Sequence, residues 1–203
     1  MKVSIRSRAK QSSILLYRQH REGSASRGGF AGFIVALANT AAGASRSGAD
    51  ELSTVDQLAR LLERYTFVGR VDGDEVELAQ VRAARAQLRD VWTADRDDAA
   101  AMVNRMLREA PARPYLIRHD GSDWHVHATE PGAPLAERMR VDAALALMSV
   151  IRMDETGRLR VCAADDCAGL FADMSRNGSR RFCSVRCGNR VNMSACRARR
   201  LRG

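Results

Sequence analysis

Aromatic residues make up only 5% of this 203-residue chain, so its core cannot be built on rings and must rest on Leu, Ala and Val. That composition favours helices. No apolar run reaches the roughly 20 residues that a membrane span requires, and Ile14-Leu15-Leu16-Tyr17 is too short for a secretory core, so no membrane partner is expected. The chain also lacks a Gly-rich phosphate loop, a Gly-x-Ser-x-Gly elbow and a His-Glu-x-x-His motif, and it is read as a non-enzyme. No internal repeat is evident. Cysteines number five, four of them in close pairs within one segment, which does not suit a disulfide framework spread through a secreted fold. It suits a metal held in a reducing, cytoplasmic setting.

What the chain has is uneven charge. Residues 1–29 carry net +6 and residues 152–203 net +7; the total is +9, so residues 30–151 carry −4. A basic module joined to an acidic body is expected when only one end meets a polyanion. Residues 1–29, Gly/Ser/Arg-rich at their end, read as a disordered basic tail.

The most informative stretch is Cys162–Arg202. Its cysteines form two close pairs, Cys162/Cys167 and Cys183/Cys187, with Cys196 further on. Two pairs separated by a foldable spacer suit tetrahedral zinc, each pair giving two thiolates from one turn. Between them Asn177-Gly178 predicts a hairpin pairing Gly169–Asp173 with Arg180–Cys183. After it Ser184 predicts the N-cap of a helix. Four thiolates on one Zn²⁺ would lower the segment to about +5, still enough for salt-sensitive phosphate binding. On that helix Arg186, Arg190, Met193, Arg197 and Arg200 fall on one stripe at about 100° per residue. Val191, Ala195 and Ala198 fall opposite, with Cys187. Arg180 and Arg181 would add phosphate contacts, and Arg190 is the expected first reader of a base edge.

Cys187-Gly188-Asn189-Arg190, preceded by Phe171-x-Asp173-x-Ser175-Arg176-Asn177-Gly178-Ser179-Arg180-Arg181-x-Cys183-Ser184, resembles the CGNR zinc finger of bacterial stress-induced transcription regulators. In that family the finger follows a helical, sensing-type module called ABATE. The resemblance implies a zinc-dependent DNA-binding finger with ligands Cys162, Cys167, Cys183 and Cys187. Many members have four residues between the last two ligands and Trp before Cys183; here there are three, and Phe182.

The body reads as mainly α. Helices are expected from Phe30, from Ser53 as N-cap, over 74–93, over 96–110 and over 135–153. Tyr115–Arg118 and Trp124–Ala128 read as a small β-hairpin turning at Asp120-Gly121. Asn39-Thr40 is read first as a helix-terminal hydrogen-bonding site. His125-x-His127 is read first as an edge-strand pair beside Trp124 rather than a metal site. The family resemblance adds the expectation of an effector-sensing pocket drawing on Asn39, Trp124, His125 and His127.

The expected organisation is therefore a tail (1–29), an ABATE-like helical domain (30–153) and a treble-clef-like α+β zinc finger (154–203), the two folded parts being separable. The expected function is a cytoplasmic, zinc-containing, DNA-binding transcription regulator with a small-molecule effector. The alternative is a zinc-stabilised protein-interaction or RNA-binding module.

Overall fold

The computed structural model describes residues 29–65, 69–118 and 124–200. The tail expected for residues 1–29 lies, but for Gly29, outside the described residues, as does the Asp-Gly turn of the first hairpin. The described residues form six helices and two two-stranded sheets.

Helix starts are set by side chains that bond their own first turn. Helix α1 covers Gly29–Ala38 and α2 covers Val55–Leu62. Thr54, not Ser53, caps α2: its hydroxyl accepts from Gln57 N, and the Gln57 side chain accepts from Thr54 N. The register follows from Gln57, which sits three residues after Thr54 and so completes a reciprocal capping box there. Helix α3, Glu75–Thr93, is capped by Asp74, and α4, Arg96–Glu109, by Asp95. Helix α5, Leu135–Arg152, starts after Pro134 with no side-chain cap.

Helix α5 packs against α1, α3 and α4. The core they enclose holds Phe33, Leu37, Leu58, Leu78, Leu88, Trp92, Val103, Met139 and Leu147, all buried. Each such side chain contributes about 1.5–3 kcal/mol on removal from water. Strands β1 (Tyr115–Ile117) and β2 (His125–His127) pair antiparallel, with Leu116 opposite Val126. Beside this hairpin, Ala110, Ala128 and Val141 make a smaller apolar cluster.

After α5 comes a 3-10 turn, Thr156–Arg158, then β3 (Leu159–Val161) and β4 (Leu170–Ala172), antiparallel with Val161 opposite Leu170. This corrects the expected hairpin. Strand β4 pairs with the segment before the first cysteine pair, and residues 180–183 join no strand. The reason lies in Asp173, which is fully buried. Its carboxylate accepts from Ser175 N, Ser175 Oγ and Arg180 N, closing the 173–180 loop without a ladder. Burial works against its charge, yet these bonds hold its pKa below the usual carboxylate value. The Asn177-Gly178 signal does mark a turn, with Gly178 at φ 59°. Helix α6 then runs Val185–Arg200.

The second sheet is anchored in the helical body. Leu170 is 0% exposed and belongs to the main core. The Asn39 side chain donates from Nδ2 to Leu170 O (2.8 Å) and accepts on Oδ1 from Leu170 N (2.7 Å), taking the place of a neighbouring strand. Arg89 donates to Ala38 O and to Ala168 O, Ala168 N donates to Gly43 O, and the Trp92 indole donates to Arg160 O. The loop after α1 is held by Arg85, which bonds Thr40 Oγ1 and both carboxylate oxygens of Asp50. Thr40 bonds back to Leu37 O, as expected of a helix terminus, whereas Asn39 reaches across to the other module.

Candidate metal centre and nucleic-acid face

The β3–β4 turn carries Cys162 and Cys167, shaped by Cys162 N donating to Gly169 O and Cys167 N donating to Ala164 O. The opening of α6 carries Cys183 and Cys187, and Ser184 Oγ accepts from Cys187 N, so Ser184 is the expected cap. The two segments meet where Ala163 N donates to Arg181 O and Cys183 N donates to Cys162 Sγ. All four sulfurs lie within 4.8 Å of one another. Cys183 is 3.7 Å from Cys167 and 3.6 Å from Cys187, and Cys187 is 3.8 Å from Cys167. A tetrahedral zinc with bonds of about 2.3 Å separates its sulfurs by about 3.8 Å. The cluster is a Zn²⁺ site in ligand type, number and spacing.

Its surroundings fit the same ion. A Cβ on Gly169 would lie 3.0 Å from Cys183 Sγ and 3.1 Å from Cys167 Sγ, so a side chain there would push the ligands apart. Gly188 tucks beneath the Phe182 ring, and Phe182, Ala164 and Val191 wall the centre with apolar surface. Burial pushes the Cys167 and Cys183 thiols up, while the Ser184 hydroxyl draws Cys187 down to about 7. Four thiolates this close need a divalent counter-charge. Among the described residues this is the one cluster of metal-ligating side chains.

The arginines expected to meet nucleic acid fall into two groups. Arg180 stacks over Phe171 and donates to Phe182 O and Cys183 O, bracing the ligand loop. Arg181 lies over Phe182, and Arg186 donates to Arg46 O in the loop after α1. Arg190 is bound into the centre: Nη2 donates to Asp166 Oδ1 at 2.6 Å and lies 3.7 Å from Cys187 Sγ, while Nε is buried with no acceptor. Arg197 and Arg200 are exposed and make no bond or ion pair with a described residue. The packed side of α6 is Cys187, Arg190 and Val191, whereas Ala195 faces water. Asp166 was visible in the sequence as charge alone, and Asp173 as a motif position, with no local signal for the bonds they make.

The sensing-pocket residues lie on different elements. His125 and His127 alternate along β2, Trp124 precedes them with Arg118 over its ring at 5.5 Å, and Tyr115 and His127 rings lie 6.2 Å apart. Asn39 is at the other sheet, its amide taken by Leu170.

No helix among the described residues is long and apolar enough to cross a membrane. Two family models match the chain. One, described as "Putative stress-induced transcription regulator" and called ABATE, spans residues 32–169; the other, described as "CGNR zinc finger", spans residues 158–200. They overlap over β3, the first cysteine pair and the start of the second strand's approach, the stretch that joins finger to body. A search of curated proteins finds no match.

Proposed function

The chain belongs to the ABATE family and carries a CGNR zinc finger, and on that footing we propose that it regulates transcription by binding duplex DNA through helix α6. The observation that carries this is the helix itself. Its first turn holds a zinc ligand, it bears no acidic side chain, and it exposes Arg186, Arg197 and Arg200 from a net +7 segment. A rigid helix with guanidinium groups on its open side suits phosphates and base edges in a major groove. The body, in this reading, is the effector-responsive part and acts on the finger through the Asn39–Leu170 junction; the protein works in the cytoplasm.

The test is selection of bound fragments from a random duplex pool by the zinc-loaded full chain, followed by affinity against salt. Each phosphate contact adds about one unit to the slope of log affinity on log salt, so three to five arginine contacts give a slope of about −3 to −5. Binding of duplex no tighter than that of the chain carrying Ser at all four ligand cysteines would overturn the reading. Stronger competition by single-stranded RNA, or no nucleic-acid binding beside capture of a protein, would move it to the adaptor alternative.

A further inference from the structure

The sequence pointed to Arg190 as the base reader, but its guanidinium is committed to Asp166 and Cys187. The open side of α6 has a different centre. At about 100° per residue, Asn192, Val185, the half-buried Cys196, Asn189, Arg200 and Met193 fall within roughly 100° of arc, with Arg186 and Arg197 along one border. Both asparagines are exposed, Val185 is 79% exposed and Met193 57%. Uncharged amides and apolar tips thus share this face with Arg200, and Arg186 and Arg197 border it on one side. The arginines supply attraction to a polyanion; the amides and apolar tips supply none, so their presence suits a surface that is read rather than one that is merely attracted.

We propose that this face reads A·T base pairs in the major groove: the Asn189 and Asn192 carboxamides bond the adenine edge, and Met193 and Val185 meet thymine methyls. A carboxamide presents one donor and one acceptor side by side, matching adenine N7 and the N6 amino group, and a thymine methyl is the groove's apolar feature. Asn189 stands in the second turn, near the helix start, which is the part of a groove-bound helix that approaches bases. The arginine border fits phosphates along one edge of the groove, so face and partner are complementary in charge as well as in bonding pattern. This assignment rests on the DNA-binding reading above.

The experiment uses the full zinc-loaded chain and a duplex recovered by selection, compared with a scrambled duplex of equal length and base composition. The selected duplex should contain A·T pairs at fixed positions, and replacing those thymines with uracil should weaken it. Asn189→Ala or Asn192→Ala should lower the ratio of selected to scrambled affinity by about 5- to 150-fold, with zinc content and helix signal as in the native chain. A ratio that stays at its native value in both variants would overturn the assignment while DNA binding stood. A native chain that binds neither duplex would overturn the assignment and the DNA reading together. Loss of the ratio in Arg190→Ala with zinc still fully bound would return the reading role to Arg190 and overturn the proposal.

Discussion

Arg190 and Asp166 form a 2.6 Å ion pair that ties helix α6 to the turn holding Cys162 and Cys167, so each half of the zinc centre is fastened to the other by a bond outside the ligand set. The same guanidinium lies against Cys187 Sγ, where it offsets part of the −2 charge of a zinc tetrathiolate. Second-shell partners of this kind orient ligands and tune metal affinity.

Arg190→Ala or Asp166→Asn should therefore weaken zinc retention by about 10-fold, read as the rate of metal transfer to a chromogenic chelator. In the double variant the two effects should not add, because both remove one bond. Full additivity would show that the two side chains act on the centre independently rather than through one bond.

Asn39→Ala should destabilise the chain by about 1–3 kcal/mol, because Leu170 N–H and C=O, buried at the junction, would lose their partner at once. Asn39→Asp keeps the acceptor but sets a carboxylate oxygen against Leu170 O, so at pH 7 it should cost at least as much as Asn39→Ala. Chemical denaturation at pH 7 measures both, and native-like stability in Asn39→Ala would dismiss the clamp.

Metal removal should reach beyond the finger. Strand β4 lies in the body's core through Leu170, and Trp92 donates its indole N–H to Arg160 in β3. Cys162→Ser or Cys183→Ser should release zinc and unfold the finger. The body's melting temperature should also drop, with Trp92 fluorescence changing in step. Leu170→Ala, which leaves the ligands in place, should cost about 2–5 kcal/mol. A body that melts identically with and without zinc would support the separable units expected from sequence.

Asp142 in α5 gives a pH signature. Burial pushes its pKa up to about 7, with Arg138 only partly opposing. The unfolded chain releases this proton near pH 4, and the folded chain holds it until about 7, so the group's contribution falls as pH rises through that window and is level above it. Asp142→Asn should thus match the native chain near pH 4 and exceed it by up to about 4 kcal/mol at pH 8, read from thermal melts at each pH.

Local signals survived the passage from sequence to structure where their physics is local. The cysteine spacing located all four ligands, and the apolar periodicity placed α3, α4 and α5 within a residue or two. Ser53 and Thr54 cap equally well by type, and only the reach of Gln57 separates them. The partner of β4 was not legible, because Asn177-Gly178 makes a turn equally well when the buried Asp173 closes the loop. Nor was Arg190's place, since an ideal helix puts it at the edge of the arginine stripe and a carboxylate 24 positions earlier draws it inward. The Asn39 clamp spans 131 positions and leaves no local trace.

The depth of Leu170 in the helical core also bears on how such a chain could have been assembled. A break after Met153 looks natural, since it falls just past the last body helix. It would leave a leucine-sized hole beside α1 and α3, and it would strip the acceptors from Trp92 and from one arm of Arg89 and both partners from Asn39. A swap that imported either half alone would inherit those losses, so finger and body are tied to each other by packing, not only by a peptide bond.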